Sequence, residues 1–260
     1  MHSNTVSRAQ IIDRLSEDLS QHEFILAAWM GGSDATGRTD ELSDIDMQIL
    51  CQDGQVDQTF AVIHAAAESF GPIVHRWRLP EPTWHGHSQE LSRVAGAGIF
   101  SDLDLVVLQK SAKDRFLEFE RHGDAQVLFD REGVIGRAPF DRTSHNKKMV
   151  RRLTSLRDQF PLCQAIVIKA IRRKLPVEAC AAYLRMTLMP MVELLRMRFA
   201  PDLFDFGFRY LDRDLPEEWR SRVEGWALPK DGEELAQYQQ QIDQQFNEQL
   251  AALDRGEWKV

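Results

Sequence analysis

The chain has 260 residues, 43% of them hydrophobic and 28% charged, with a formal net charge of −8. These values fit a globular protein with room for one large or two modest cores, and exclude a disordered or fibrous chain. The acidic balance argues against broad contact with nucleic-acid phosphates. Three widely spaced cysteines (Cys51, Cys163, Cys180) argue against a disulfide framework or a zinc site. Residues 1 to 22 are polar with no apolar stretch, so neither export nor a membrane is expected, and a reducing cytoplasm is the expected setting.

Ile11, Ile12, Leu15 and Leu19 recur at helical spacing and predict an amphipathic helix over residues 6–19. Residues 24–30 are a continuous apolar run that reads as a buried strand. Gly31-Gly32-Ser33 follows at once, and after a ten-residue spacer (34 to 43) comes Asp44-Ile45-Asp46. A tight glycine–serine turn lets amide N–H groups approach a polyphosphate closely. Ile45, Met47 and Ile49 then alternate with polar positions, which predicts a strand packed on one side. Asp44 and Asp46 share its other side, where two carboxylates can hold a hard divalent cation. Asp34 and Arg38 in the spacer read equally as substrate contacts or as caps of the turn.

A helix over 57–69 and a strand over 73–79 come next, and then a loop bearing Pro80, Pro82, Gly86 and Gly96 that interrupts the sheet. His85-Gly86-His87 within it has no third ligand at a usual spacing and reads as loop. Residues 99–108 predict another strand, with Leu103-Asp104-Leu105 leading into an apolar stretch. Asp104 is the stronger candidate there, and Asp102, on the same side by the period of two, is a neighbour able to support or replace it. Residues 116–119 and 127–130 finish a first domain, and Gly133, Gly136 and Pro139 mark a linker.

From about Thr143 the periodicity is helical, with helices expected over 162–173, 180–199, 216–226 and 232–255. Pro190 either kinks the second or joins two shorter helices. The methionines around it read as core, and Lys147, Lys148, Arg151 and Arg152 as a solvated helix face. The six tryptophans are scattered; Trp77, Trp84 and Trp219 are expected to be buried rather than to line a pocket.

An apolar strand, Gly32-Ser33, a ten-residue spacer, Asp44-Ile45-Asp46 and then Leu103-Asp104-Leu105 on a later strand form an order that resembles the nucleotidyltransferases of the DNA polymerase β superfamily. Gly37-Arg38 in the spacer and Ser43 before the first aspartate fit the common form of that family. An all-helical second part of this length is similar to the aminoglycoside 6-adenylyltransferases in particular. The resemblance implies an α+β fold, with a mixed sheet flanked by helices in a catalytic domain (1–140). An all-helical domain (141–260) would complete the acceptor and nucleotide pocket.

The same resemblance implies that Asp44, Asp46 and Asp104 are the catalytic carboxylates and hold Mg²⁺, as two ions. A nucleoside triphosphate, with ATP as the leading donor, would have its β- and γ-phosphates held by Gly32 and Ser33. The acceptor would be a hydroxyl of a small molecule, such as an aminoglycoside-like polyhydroxylated amine, with pyrophosphate released. Residues 167–176 are similar to a helix that carries a phosphate-contacting lysine, which makes Lys169 the candidate. A solvated basic face formed by Lys169, Arg172 and Arg173 is the alternative. No Gly-x-x-x-x-Gly-Lys-Ser/Thr loop is present, which disfavours a P-loop enzyme. Two other readings stay open: the same chemistry on a protein or RNA acceptor, and a nucleotide-binding sensor without turnover. Neither the donor base nor the oligomeric state has a compact motif.

Overall fold

Ser7 starts the first helix, α1 (Arg8–Ser20), through a capping box in which its hydroxyl accepts from the Gln10 N–H and the Gln10 side chain accepts from the Ser7 N–H. The computed structural model describes residues 6–98 and 100–258. Ile99, where the strand expected over 99–108 would open, lies outside them with the first five and last two residues. The chain divides into two compact units, Met1–Phe140 and Asp141–Val260.

The first unit is built on a six-stranded mixed sheet. Its elements after α1 are β1 (Ile25–Met30), a single helical turn α2 (Gly32–Ala35), β2 (Ile45–Cys51), α3 (Val56–Glu68), β3 (Ile73–Arg78), β4 (Ser88–Val94), β5 (Leu103–Gln109), α4 (Phe119–His122) and β6 (Gln126–Asp130). The strand order is β3-β4-β5-β2-β1-β6. β2 and β5 pair in parallel, and the other neighbours are antiparallel. This is the expected α+β class.

Strand periodicity sends alternate residues of β2 and β5 to opposite sides. Ile45, Met47, Ile49, Leu103, Leu105 and Val107 pack with Ile11, Leu15, Leu19, Phe60 and Ile63 from α1 and α3. On the other side, Leu50, Val106 and Leu108 meet Trp29 and Leu117, with Phe116, Val134, Ile135 and Ala138 closing over them. Asp46 and Asp104 belong to this second side by parity. They sit at the N-terminal ends of the two central strands, before the apolar stretch begins.

Three expectations change here. The Pro/Gly-rich stretch does not interrupt the sheet, because it carries β4. The buried positions of β4 are Ser88, Glu90, Ser92 and Val94, so its inward side is mostly polar and gives no hydrophobic alternation to read. The expected linker is folded onto the sheet: Ala138 N–H donates to the Leu117 carbonyl at 2.9 Å, and Val134 and Ile135 pack below. Trp77 and Trp84 are exposed, at 57% and 86%, and only Trp219 of the three is buried.

The second unit is all helical: α5 (Arg142–Arg172), α6 (Pro176–Tyr183), a π-helical segment (Leu184–Leu188), α7 (Met189–Phe199), a 3₁₀ turn (Pro201–Leu203), α8 (Leu211–Asp214), α9 (Glu217–Ala227) and α10 (Gly232–Asp254). α5 is one helix that runs through Pro161, longer than the expected 162–173. The expected 180–199 helix is two helices joined by the π segment, with Pro190 in the first turn of α7, where its missing N–H costs little.

Gln164 accounts for the π segment. Its amide donates to the Met186 carbonyl at 2.9 Å, and its oxygen accepts from the Thr187 hydroxyl at 2.8 Å and from Gln239 at 3.2 Å. The Met186 carbonyl within the π segment is thus met by a side chain. Phe160 stacks on Phe246 with ring centroids 3.7 Å apart, and Met191, Leu195 and Met197 are fully buried core. The irregular aromatic stretch after α7 is fixed by Arg196, which has no exposed surface. Its guanidinium donates to the carbonyls of Leu203, Gly207 and Arg209 and to Asp214. No helix among the described residues is long and apolar enough to cross a membrane.

Candidate active site

The turn after β1 is tight because two glycines make it so. Gly32 has φ +47°, a left-handed conformation that favours glycine, and a Cβ at that position would collide with Oδ2 of Asp46. Gly31 N–H donates to the Asp46 carbonyl at 2.9 Å, and Arg38 N–H donates to the Ser33 carbonyl at 2.8 Å. Backbone contact therefore sets the turn against the second aspartate. Ser33 stands half-buried in its first residues.

Asp34 is one of the few buried acids, at 8% exposure. Both terminal nitrogens of Arg8 grip its carboxylate, and the Thr39 hydroxyl donates to it at 3.1 Å. Arg8 also sends its Nε to the Asp44 carbonyl at 2.8 Å. A single guanidinium at the start of α1 thus joins the glycine turn to the strand that carries the carboxylates. Asp34 is committed to this scaffold.

The parallel register places Asp46 directly opposite Asp104. Burial, with the Asp104 charge adding to it, pushes the Asp46 carboxyl up to about 7, and a hydrogen bond from Gln48 opposes the rise. Burial also raises Asp104, which is held by Gln89: the amide donates to Oδ1 at 2.6 Å. Asp44, one residue ahead of β2, is raised by burial and pulled back by its backbone hydrogen bond and by Arg8. Its charge in turn raises both other carboxyls. Asp102 differs, because Arg93 holds it with two bonds of 2.5 and 2.6 Å on an open surface. Asp44 thus raises Asp46 and Asp104, and Asp104 raises Asp46; the Asp102 charge raises Asp44 as well, but Asp102 is itself engaged with Arg93.

Among the described residues no three His, Cys, Asp or Glu side chains stand as a ready metal shell. Asp46 and Asp104 turn instead to the amides of Gln48 and Gln89. The donor set nonetheless suits a hard divalent cation. It offers three carboxylates whose charge burial disfavours, and the buried Gln48 Oε1 beside them has no partner among the described residues.

Of the residues expected from sequence, Gly32, Ser33, Asp44, Asp46 and Asp104 gather at the ends of β1, β2 and β5. Lys169 lies in the second unit, exposed on α5. Sequence reasoning did not find Arg8, Gln48 or Gln89. Gln48 and Gln89 follow from strand parity once β2 and β4 are each in register with β5, but Arg8 has no signal, since it meets Asp34 and Asp44 only through the fold.

No protein-family model matches the chain, and no curated protein matches it. Among solved structures, the crystal structure of an aminoglycoside 6-adenyltransferase from Bacillus subtilis is similar at 13% identity and a TM-score of 0.41. The match covers 98% of this chain and 93% of that one.

Proposed function

We propose that this protein is a nucleotidyltransferase that moves a nucleoside monophosphate, AMP from ATP in the leading reading, onto a hydroxyl of a small molecule. The pairing of Asp46 with Asp104 across β2 and β5, beneath a glycine turn that only Gly32 can make, is the observation that carries this reading. Residues 1–140 are the catalytic domain in this reading. Gly32 and Ser33 receive the β- and γ-phosphates through backbone N–H groups and the Ser33 hydroxyl. Asp44, Asp46 and Asp104 would hold Mg²⁺, as two ions, which when bound neutralises the triphosphate and the charge that develops on it.

Asp104 lies by the acceptor hydroxyl, lowering its pKa or taking its proton. The hydroxyl oxygen forms a bond to the α-phosphorus while the bond from that phosphorus to the bridging oxygen breaks, and pyrophosphate leaves. The rest of the rate comes from position and fixed charge. Lys169 is assigned to the triphosphate on the sequence resemblance, as is the acceptor class of polyhydroxylated amines such as aminoglycosides. The cysteines are free thiols, which suits the cytoplasm.

The test is pyrophosphate release from ATP, GTP, CTP and UTP with Mg²⁺, across aminoglycosides, other polyols and a no-acceptor control. Release that depends on one acceptor, with a product heavier by one nucleoside monophosphate, is expected. Absence of both release and nucleotide binding would overturn the reading.

A further inference from the structure

His85-Gly86-His87 reads from sequence as a loop, yet the structure ties it to Asp104. Gly86, at φ +83°, turns the chain back so that the His87 N–H donates to His85 Nδ1 at 3.2 Å. The Thr83 hydroxyl closes the turn on the His87 carbonyl at 2.5 Å and accepts from the Gly86 N–H at 3.1 Å. The His85 ring is packed by Trp84 at 4.9 Å, His87 at 5.4 Å and Phe116 at 5.6 Å between centroids. On its far side Nε2 lies 3.0 Å from the Gln89 Oε1. Gln89 then donates from its Nε2 to Asp104 Oδ1.

The polarity of this chain of bonds is determined at both ends. A carboxylate only accepts, so the Gln89 NH₂ must face Asp104 and its oxygen must face His85. That oxygen needs a donor, so His85 carries its hydrogen on Nε2. His85 Nδ1 is then a lone pair, which is what the His87 N–H requires. The His85 bond thus holds the Gln89 amide in the orientation that presents its NH₂, and not its oxygen, to Asp104.

We propose that His85 is a positioning residue for the candidate reaction, fixing one oxygen of Asp104 through Gln89 and leaving the other to the acceptor and the metal. The inference rests on the nucleotidyltransferase reading for its consequence, and on the bonds above for its existence. Groups bonded directly to a metal-binding residue, as Gln89 is to Asp104, typically change metal affinity or activity by about 10–100-fold when removed, and His85, one bond further out, is expected at the lower end of that range.

The experiment uses the full chain and two readouts. Mn²⁺ binding is followed by electron paramagnetic resonance in wild type, His85→Phe and His85→Gln; a glutamine places an N–H where the His85 Nε2–H stands. His85→Phe is expected to lose roughly tenfold in Mn²⁺ affinity and in kcat, with the KM for ATP unchanged and the melting temperature close to wild type. His85→Gln is expected to recover most of both. If His85→Phe fails to fold, His85→Leu removes the donor at lower bulk. Wild-type behaviour in the Phe or Leu variant, or a Gln variant as impaired as they are, overturns the proposal. The second readout is the His85 tautomer by ¹⁵N NMR, expected as Nε2–H in wild type and lost in Gln89→Leu. An Nδ1–H tautomer overturns the proposal even where Mn²⁺ binds. A wild type that binds no Mn²⁺ and transfers nothing fails the enzyme reading instead, and the tautomer still decides the positioning contact.

Discussion

Arg8 and Asp34 form a two-pronged ion pair, nearly closed to solvent, that fastens the first helix to the glycine turn. The same guanidinium holds the Asp44 carbonyl, so the distance between turn and carboxylates is set by a residue that belongs to neither. Arg8→Ala is expected to lower stability by about 2–3 kcal/mol, because Asp34 is left buried without its partner. It should also weaken nucleotide binding. Arg8→Lys keeps the charge without the fork and should recover only part of each. Urea midpoints and calorimetric titration with ATP measure both; an Arg8→Ala protein with unchanged ATP affinity would show that the pair serves folding alone.

The Asp46 carboxyl, raised to about 7 against an ordinary 3.8, gives a pH dependence with a definite sign. Between those values the folded state holds a proton that the unfolded state has lost, so its stabilising contribution is complete below pH 4 and is lost as pH rises through 7. At about 1.4 kcal/mol per unit the effect reaches a few kcal/mol. Asp46→Asn is expected to raise the melting temperature of the metal-free protein at pH 8, with the gain fading by pH 4. Mg²⁺ should stabilise wild type at pH 8 and leave Asp46→Asn unmoved. Turnover in that variant should fall roughly a hundredfold or more. Parallel melting curves across pH would refute the assignment.

Asp102 and Asp104 provide a paired test. Asp104→Asn is expected to slow transfer about 10²–10⁴-fold with ATP binding largely kept, because a base is lost while the turn remains. Asp102→Asn breaks only a solvent-exposed pair with Arg93, worth about 1 kcal/mol or less, and should leave transfer unchanged. Single-turnover rates of the two variants decide it, and the reverse result would exchange their roles.

Gly32→Ala tests the turn. The methyl meets Asp46 Oδ2 and the backbone is left-handed, so a cost of about 1–3 kcal/mol is expected, together with weaker ATP binding. Gly37→Ala, also at positive φ but in open space, should lose stability with ATP affinity retained. Equal ATP affinities in both variants would separate the turn from the nucleotide.

How much of this was legible in the sequence depends on the range of each interaction. Gly32, Asp44 and Asp46 are readable because a turn and a strand period act over a few residues. β4 is not, since its buried side is Ser88, Glu90 and Ser92, met by partners such as His64 and Glu81 that only the fold supplies. The helix expected over 162–173 begins instead at Arg142, because tertiary packing of Met149, Leu153, Leu156 and Phe160 carries α5 through Pro161. That Asp102 is engaged by Arg93 is not readable either, because its partner stands nine positions away on the neighbouring strand.

The guanidinium of Arg196 has one more consequence. It holds the stretch between α7 and α8 by main-chain oxygens at Leu203, Gly207 and Arg209, and binds the side chain of Asp214. The path of that ribbon is thereby uncoupled from most of its own lettering. Phe208, which is exposed, is free to drift in evolution or to be rewritten in the laboratory while the route of the chain beneath it stays the same; Tyr210, left-handed at φ +58° and under the Arg213 guanidinium, is not.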